Sequence, residues 1–458
     1  MRAEEVLSEE NLRTVFRAYD VRGMAEREIN ELLYFATGYI CGKIFGSVCV
    51  AHDHREHSEK YAMALIKGLS TGCKKIFFLK LVPTPLVQFA SRLLECDAGI
   101  MVTASHNPKE YNGIKIFRRE CRRAEWEKIR EMILEEKEKI LKEFSIPRAQ
   151  SFNEIDVKDA YKKFLKESFG FEHKYRIVID GSNGPMGNLA VDVLREFGFE
   201  PIPVACEIDC NFPSHEPDPS KEKNTELCKK AVLEHKADFG ICFDGDGDRV
   251  IFIDDKARFI PGDYTLAIIS LLYPKPKVVT EVKVSKGVVE FIENSGGSVI
   301  LERVGNVFVR KTLVERNADL GGEYSGHYFF REYPVDDSLY ATLKVISVLE
   351  KMRKPLSEIF DSIPKYHSSP EIRIKVSEKS KWKIVEDARE YFAGKGKIIA
   401  IDGVRVESED AWGLIRASNT EPKISVRVEG RTKEKYEEML ESFSEFLKKY
   451  GIEVVEWR

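Results

Sequence analysis

The first two-thirds of the chain alternates short runs of β-branched residues with stretches of helical periodicity. Examples are SVCVAHD followed by SEKYAMALIKGLSTG, and YRIVIDG followed by NLAVDVLREFG. Because strands that alternate with helices of about ten residues are typical of layered α/β domains, this pattern constrains the fold more than any other feature. Similar strand–loop–helix units begin near residues 48, 176 and 277, and they predict three related α/β modules.

The last part of the chain follows a different pattern. Prolines and serines interrupt the alternation at 354–370, and beyond them the runs AWGLIRAS and KISVRVEG predict antiparallel strands before a closing helix, EKYEEMLESFSEFLKKYG. This arrangement is typical of an α+β domain. A chain of 458 residues is also too long for one ordinary core. We therefore predict four domains, with the ranges 1–150, 151–255, 256–367 and 368–458.

Composition excludes several functional classes. The chain is 43% hydrophobic and 32% charged with a formal net charge of -4, so nothing indicates a nucleic-acid or anionic-membrane surface. No stretch approaches the roughly 18 apolar residues of a membrane helix, and the amino terminus, MRAEEVLSEE, does not resemble a signal peptide. Nine scattered cysteines without a CxxC pair are expected to be buried reduced thiols. We expect a cytoplasmic protein, whose oligomeric state the sequence does not indicate.

The segment FDGDGDR (243–249) places carboxylates at Asp244, Asp246 and Asp248. A calcium loop of the EF-hand type shares this spacing but requires glycine at its sixth position, where this chain has Arg249. A purely structural acidic turn remains an alternative, although three carboxylates without a counter-ion are energetically costly. A small set of hard oxygen ligands suits Mg²⁺ with positions left open for a phosphate. The segment therefore predicts a metal site.

A second polar constellation is MVTASHNPKEYNGIKIF (101–117). A β-run leads into a loop with Ser105 and His106, and a following strand contains Lys115. A serine at a strand end, beside a histidine and within reach of a lysine, is a candidate nucleophile or phosphate carrier. The alternative is a turn hydroxyl beside a surface histidine. The density of polar side chains in this loop favours the nucleophile.

Three further stretches are weak signals individually. GGEYSGH offers donors and acceptors suited to sugar hydroxyls, RASNTEP offers a guanidinium and small donors suited to a phosphate dianion, and FRAYDVRG contains two arginines. Each alone also describes an ordinary turn or a solvated arginine. Taken with the metal and serine loops, they indicate phosphoryl transfer on a sugar phosphate. The residues concerned are Arg17, Arg22, Glu323, Ser325, His327, Arg416, Ser418, Asn419 and Thr420.

The segments FRAYDVRG, TASHNPKEYNGIKI, DGDGDRV, GEYSGH and RASNTEP occur in an order and spacing that resemble the α-D-phosphohexomutase superfamily, and within it the phosphomannomutase/phosphoglucomutase branch. The resemblance implies three related α/β domains and a C-terminal α+β domain of the TATA-binding-protein-like type around a central cleft. It also implies interconversion of hexose 1-phosphate and hexose 6-phosphate, of mannose and/or glucose, through a phosphoserine. The implied intermediate and activator is a hexose 1,6-bisphosphate.

The resemblance implies specific roles for the catalytic and metal-binding residues. Ser105 would be the phosphoserine, and one Mg²⁺ per chain would bind Asp244, Asp246, Asp248 and a phosphoserine oxygen. Arg249 would support the phosphoserine, while Lys115 and His106 would serve proton transfer at the sugar oxygen.

The resemblance also assigns the substrate contacts. Glu323 and Ser325 would hold the sugar 3- and 4-hydroxyls, with His327 beside them. Arg22 and Lys283 would be further basic residues of the site. The non-reacting phosphate would be bound by Arg416, Ser418, Asn419 and Thr420.

The chain departs from the family pattern in one loop. Where the family often has Thr-x-x-Gly-His or Thr-x-Val-Gly-Asp, this chain has the residues from Glu302 to Asn306, so its hydroxyl preference is expected to differ. Phosphoglucosamine mutases, an alternative within the superfamily, usually open with a Phe-Gly-Thr-Asp-Gly-type stretch, and FRAYDVRG favours the mannose/glucose branch.

Two interpretations from other classes remain open. An aspartyl-phosphate phosphatase would use Asp244 as nucleophile and Lys283 as its basic partner, but this interpretation leaves TASHNP unexplained. A sugar-phosphate-binding regulator without catalysis would not need Ser105 and Lys115 together with three aspartates. Both are therefore less favoured than the mutase.

Overall fold

The structure is a computed structural model that describes residues 3–118, 125–147, 151–418 and 422–453. The chain forms two compact units. The first unit contains Met1–Gly262 with Ser325–Ser357, and the second contains Asp263–Tyr324 with Glu358–Arg458.

The first unit begins with an α/β module that is built on a mixed sheet. Its helices and strands are α1 (Ala3–Val6), α2 (Glu9–Val15), β1 (Val21–Met24), α3 (Glu31–Ile44), β2 (Ser47–His52), α4 (Ser58–Leu69), β3 (Lys75–Leu81), α5 (Thr84–Leu93), β4 (Ala98–Val102), β5 (Tyr111–Arg118), α6 (Trp126–Glu135), α7 (Lys137–Ser145), β6 (Asn153–Glu154) and α8 (Lys158–Ser168).

The strands of this sheet lie in the order β1-β5-β4-β2-β3-β6. Strand β2 pairs in parallel with β3 and β4, and β5 returns antiparallel to β4. The register places Met101 of β4 opposite Lys115 of β5, so the lysine lies beside the strand that leads into the serine loop. Side chains of β2 and β4 are almost entirely buried, as expected for strands covered by helices.

The second module of the first unit repeats this arrangement. Its strands lie in the order β11-β10-β9-β7-β8, where β7 pairs in parallel with β8 and β9 and β10 returns antiparallel to β9. Its elements, with the helix that follows, are β7 (Arg176–Asp180), α9 (Pro185–Glu196), β8 (Glu200–Val204), a 3₁₀ turn (Glu222–Thr225), α10 (Glu226–His235), β9 (Phe239–Phe243), β10 (Val250–Asp254), β11 (Phe259–Ile260) and α11 (Gly262–Ser270).

A third module in the second unit has the same parallel core. Its central strand β12 pairs in parallel with both β13 and β14. The next elements are β12 (Lys277–Glu281), α12 (Lys286–Asn294), β13 (Ser298–Glu302), α13 (Asn306–Glu315) and β14 (Leu320–Gly322), followed in the first unit by β15 (Tyr328–Phe330) and α14 (Ser338–Met352), and then by α15 (Leu356–Asp361).

The shared topology confirms the prediction of three related modules. In each module the first parallel strand is central, and the polar loop follows the third strand, which is β4, β9 or β14. Loops at the carboxyl ends of parallel strands are where α/β folds place their sites. The serine loop, the aspartate loop and GGEYSGH therefore occupy equivalent positions in their modules.

The carboxy-terminal part of the second unit is antiparallel, as predicted. Strands lie in the order β16-β21-β20-β19-β18, and β17 also pairs with β21. Two helices, α16 and α17, pack against this sheet around a core that includes Ile415 and Phe443. The elements are β16 (His367–Ser368), β17 (Ile372–Lys375), α16 (Glu378–Tyr391), β18 (Lys397–Ile399), β19 (Val404–Glu407), β20 (Ala411–Ala417), β21 (Lys423–Gly430) and α17 (Lys433–Lys448).

Two further sequence expectations concern the thiols and the helices. All eight cysteines in the described ranges are free, and six of them are buried. Among the described helices, none combines the length and apolar character needed to cross a membrane.

Candidate active site

Ser105 lies just after β4 and faces the aspartate loop of the second module. Its side chain is buried, and Oγ donates a hydrogen bond to Asp244 Oδ2 at 2.7 Å. Oγ also lies 3.3 Å from His106 Nδ1. The backbone of Ser105 has a φ of +50°, a left-handed conformation that costs a non-glycine residue about 1 kcal/mol or more. The loop is therefore held in a conformation that the local sequence does not favour.

The three predicted metal ligands converge. Asp244, Asp246 and Asp248 are buried, and one carboxylate oxygen from each lies within 4.8 Å of the others. Asp246 Oδ1 is buried and has no hydrogen-bond partner among the described residues. A cluster of buried carboxylate oxygens, one of them unsatisfied, fits a hard divalent cation such as Mg²⁺. The residues present therefore fit the predicted metal.

Lys115 neutralises part of this carboxylate cluster. Its Nζ donates to Asp246 Oδ2 at 2.8 Å and also to Asp248 Oδ2. Burial lowers the pKa of Lys115, but the carboxylates of Asp246 and Asp248 outweigh burial and hold the pKa above its ordinary value. Burial and the charges of Asp248 and Asp246 raise the pKa of Asp244 well above its ordinary value. The cluster thus has more negative charge than Lys115 alone can neutralise.

His106, Arg249 and Arg22 surround the serine with a neutral base and two cations. Burial, together with the charges of Arg249 and Arg22, lowers the pKa of His106 well below its ordinary value. The imidazole is therefore neutral and able to accept a proton. Arg249 Nε lies 3.9 Å from Asp244 Oδ2. Arg22 donates to Asn107 Oδ1 at 2.7 Å and also to the carbonyl oxygen of Ala104, so it contacts the serine loop directly.

His327 lies beside the aspartates. Its Nε2 is 3.4 Å from Asp248 Oδ1, and its Nδ1 is 3.2 Å from Ser325 Oγ. Asp248, His327 and Asp336 form a second group whose ligand atoms lie within 4.8 Å of one another. The structure therefore places the predicted residue His327 against the carboxylate cluster, with the predicted residue Ser325 beside it.

The second unit contains the remaining predicted substrate contacts of the third module. Glu323 is buried, and its Oε1 accepts a hydrogen bond from the Gly305 backbone N–H at 2.9 Å. Lys283 Nζ lies 3.4 Å from Glu281 Oε1 and 3.7 Å from Glu371 Oε2. Burial lowers the pKa of Lys283, but these two carboxylates hold it above its ordinary value. Burial raises the pKa of Glu281 to about 7.

The predicted phosphate loop follows β20. Arg416 Nε donates to Asp402 Oδ2 at 3.1 Å, and the Ser418 backbone N–H donates to the carbonyl oxygen of Lys423 at 2.9 Å. Asn419 and Thr420 lie outside the described residues.

The loop that departs from the family pattern also contacts Asp402. The Val304 backbone N–H donates to Asp402 Oδ2 at 3.0 Å, while Glu302 Oε2 accepts from Thr312 Oγ1 at 2.7 Å. Asp402 therefore joins this loop to Arg416 within the second unit. The carboxylate of Glu302 binds a hydroxyl of its own module.

Comparison with known proteins identifies the family. Models of the phosphoglucomutase/phosphomannomutase alpha/beta/alpha domains I, II and III match residues 13–140, 159–257 and 261–366, and the model of the C-terminal domain matches residues 371–446. The chain belongs to the phosphoglucomutase/phosphomannomutase family. The family assignment and the fold class predicted from the sequence are thereby confirmed.

Individual family members match over almost the whole chain. A phosphomannomutase/phosphoglucomutase of Pseudomonas aeruginosa is 33% identical over 452 residues, which cover 95% of this chain and 96% of the relative. A phosphoglucomutase/phosphomannomutase of Thermococcus kodakarensis is 33% identical over 463 residues, covering 93% and 97%. The crystal structure of a family protein from Burkholderia thailandensis has a TM-score of 0.86 at 28% identity, covering 96% of this chain and 98% of that one.

Beside the predicted residues of each unit, the structure places further residues that the sequence does not predict. Arg55 donates to the carbonyl oxygen of Ser105 at 2.7 Å, and Thr84 Oγ1 donates to Asp246 Oδ2 at 2.6 Å. In the second unit, Arg427 Nη1 donates to the carbonyl oxygen of Lys283 at 3.2 Å. In the sequence, Arg55 is recognisable only as an arginine near a strand end, in HDHRE, whereas no comparable local pattern points to Thr84 or Arg427.

Proposed function

We propose that this chain interconverts hexose 1-phosphates and hexose 6-phosphates of mannose and/or glucose. Membership of the family makes it an intramolecular phosphotransferase, and the relatives described above have the names of mutases for these two sugars. The observation that supports the mechanism best is the hydrogen bond from Ser105 Oγ to Asp244 inside a buried carboxylate cluster. Ser105 would bear the phosphoryl group, and a hexose 1,6-bisphosphate would be the intermediate and activator.

The residues around Ser105 suit proton transfer in both directions. His106 has a neutral imidazole 3.3 Å from Ser105 Oγ, so it can accept the proton that a hydroxyl releases when it attacks phosphorus. Lys115 stays protonated, because its pKa is raised, and it can donate a proton to an oxygen that leaves with negative charge. Arg249 adds a fixed positive charge for the phosphoryl group.

One Mg²⁺ per chain would be held by Asp244, Asp246 and Asp248 with an oxygen of phosphorylated Ser105. When bound, it supplies positive charge that neutralises the transferring phosphoryl group. The unsatisfied Asp246 Oδ1 and the raised pKa of Asp244 support this assignment, because both indicate uncompensated negative charge.

The remaining predicted residues would bind and orient the sugar phosphate. We assign Glu323 and Ser325 to the 3- and 4-hydroxyls, with His327 beside them. Arg22 and Lys283 would supply further positive charge to the site. The non-reacting phosphate would be bound by Arg416, Ser418, Asn419 and Thr420.

The alternatives from the sequence analysis receive less support. In an aspartyl-phosphate phosphatase, Asp244 would be the nucleophile, but its Oδ1 already accepts from the backbone N–H groups of Asp248 and Arg249. A phosphoglucosamine mutase remains an alternative that differs only in the sugar. The four domain boundaries and the cytoplasmic location stay predictions.

Isomerisation of mannose 1-phosphate and glucose 1-phosphate, measured with Mg²⁺ and a trace of hexose 1,6-bisphosphate, tests this function. We expect turnover of at least one sugar and its nearly complete loss in Ser105→Ala, because the phosphoryl carrier is removed. Ser168→Ala is the matched control, since Ser168 is an exposed residue of α8. Tight binding of both sugars without turnover would instead support the regulator.

A further inference from the structure

Arg55 is a buried arginine of the first unit whose hydrogen bonds to the candidate site all go to the serine loop. Its side chain is 1% exposed. Nη2 donates to the carbonyl oxygens of Ser105 and Asn107, both at 2.7 Å. Nη1 donates to the carbonyl oxygens of Pro108 at 2.7 Å and Tyr111 at 3.2 Å. One guanidinium therefore binds four carbonyl oxygens across the whole serine loop.

Asp53 fixes the orientation of this guanidinium. Arg55 Nε donates to Asp53 Oδ2 at 3.2 Å, and the Arg55 backbone N–H donates to Asp53 Oδ1 at 3.0 Å. Asp53 is itself buried and also accepts from Ser58 Oγ. Removing either partner of such a buried pair leaves an uncompensated charge, so the pair is costly to break.

These contacts use every donor of the guanidinium. Arginine has five side-chain N–H groups, and Arg55 donates one to Asp53 and four to the loop carbonyls. No donor remains for a phosphate of the substrate. Any effect of Arg55 on the reaction must therefore be exerted through the serine loop.

The loop needs such support because of the conformation of Ser105. Its positive φ is unfavourable, and the carbonyl oxygen of Ser105, a buried residue, would lose the hydrogen bond from Arg55 if the guanidinium were absent. A relaxed loop would move Oγ away from Asp244, to which it is now hydrogen bonded at 2.7 Å.

We infer that Arg55, held by Asp53, is the positioning residue that keeps Ser105 aimed at the carboxylate cluster. The inference rests on the proposed function, in which Ser105 bears the phosphoryl group. It assigns Arg55 an effect on the rate of phosphoryl transfer and none on the affinity for the sugar phosphate, because all five side-chain hydrogen bonds of Arg55 go to Asp53 and the serine loop. Its guanidinium also lies over the ring of Phe212, with Cζ 5.0 Å from the ring centroid, and this contact likewise leaves no donor for the substrate.

Arg55→Lys tests the inference, because lysine keeps the charge beside Asp53 but cannot present a planar fork to four carbonyls. We expect kcat to fall about 100-fold, since a displacement of about 1 Å in a reacting group has an effect of this size. The KM for the hexose 1-phosphate should stay within about threefold, and the rate at which hexose 1,6-bisphosphate phosphorylates Ser105, followed by intact mass, should fall as much as kcat.

Ile140→Ala is the control for general loss of stability, because Ile140 is fully buried in α7 and contacts neither loop of the site. A kcat for Arg55→Lys within about threefold of wild type would overturn the inference, as would a kcat loss no larger than that of Ile140→Ala, or a loss confined to KM. If Arg55→Lys does not fold, Asp53→Asn keeps the guanidinium but weakens its orientation. It should lower kcat about tenfold at unchanged KM, and an unchanged kcat would overturn the inference.

Wild-type measurements separate this inference from the proposed function. Absence of turnover or of phosphoserine in the wild-type protein would overturn the proposed function and, with it, the role of Arg55. An active wild type together with a fully active Arg55→Lys would overturn the role of Arg55 alone.

Discussion

Gly245, in the aspartate loop, lies close to the backbone of Ser105 in the serine loop. A Cβ at this position would lie 2.6 Å from the carbonyl oxygen of Ser105, whereas ordinary van der Waals contact begins at 3.4 Å. The new Cβ cannot move far from this oxygen, because Pro217 Cβ would lie only 3.2 Å and Phe212 Cε1 only 3.5 Å from the Cβ. Gly245→Ala must therefore separate the two loops by about 0.8 Å, the difference between 3.4 and 2.6 Å.

A separation of this size acts directly on the hydrogen bond between Ser105 Oγ and Asp244. Misplacement of a reacting group by about 1 Å lowers rates about 100-fold, which corresponds to about 2.7 kcal/mol of transition-state stabilisation. We therefore expect kcat for glucose 1-phosphate or mannose 1-phosphate to fall about 100-fold in Gly245→Ala, with a smaller change in KM.

Steady-state kinetics and thermal unfolding, measured on the same samples, test this prediction. Gly170→Ala is the matched control, because a Cβ there meets no atom within 4 Å. A kcat for Gly245→Ala within about threefold of the control would refute the reasoning, because it would show that the two loops need not approach as closely as the structure has them.

Two further predictions concern the metal and an ion pair of the second unit. Asp246→Asn should abolish the dependence of turnover on Mg²⁺ concentration, because it replaces the carboxylate whose Oδ1 is unsatisfied, and full Mg²⁺-stimulated turnover would contradict the metal assignment. Burial raises the pKa of Glu371, but Lys283 and Arg373 outweigh burial and lower it from 4.5 to about 2. Because the folded pKa lies below the unfolded one, this stabilisation is complete above about pH 4.5 and is lost as pH falls towards 2. Between these pH values, the free energy of unfolding, measured with denaturant, should therefore fall less in Glu371→Gln than in the wild type, by up to about 3 kcal/mol. An equal fall in the two proteins would contradict the lowered pKa of Glu371.

The modular fold could be predicted because its signal is local and repeated. Each module places a buried β-branched run before a helix, and YRIVIDG with NLAVDVLREFG became β7 and α9. The antiparallel tail was equally visible in runs such as KISVRVEG, which forms β21. Pairing order and register depend on contacts between distant segments, so the position of Lys115 opposite Met101 required the structure.

A finer detail of the first module was also beyond the sequence. The charged stretch at 123–144 has one helical pattern, yet the structure contains α6 and α7 with a break at Glu136. Glu136 accepts hydrogen bonds from Lys43 and, at 3.4 Å, from Tyr39 Oη, both on α3. The helix therefore breaks at a residue that makes a tertiary contact, and no residue within the stretch predicts the break.

In the candidate site, too, some residues could be predicted from the sequence and others could not. The three aspartates were recognisable because they are alternate residues of one short segment, and Ser105 because it lies in a dense polar loop. Arg55 was not recognised, because its partners are backbone carbonyls of a loop that begins 50 residues later. The contact between His327 and Asp248 likewise depends on how the segment Ser325–Ser357 packs against the second module within the first unit.

The central claim is that Ser105, and no aspartate, bears the phosphoryl group. Incubation of the wild-type protein with hexose 1,6-bisphosphate and Mg²⁺, followed by mass-spectrometric mapping of the phosphorylated residue, tests this claim most directly. We predict a single phosphate on Ser105, which is absent from Ser105→Ala. A phosphate on Asp244 would contradict the account.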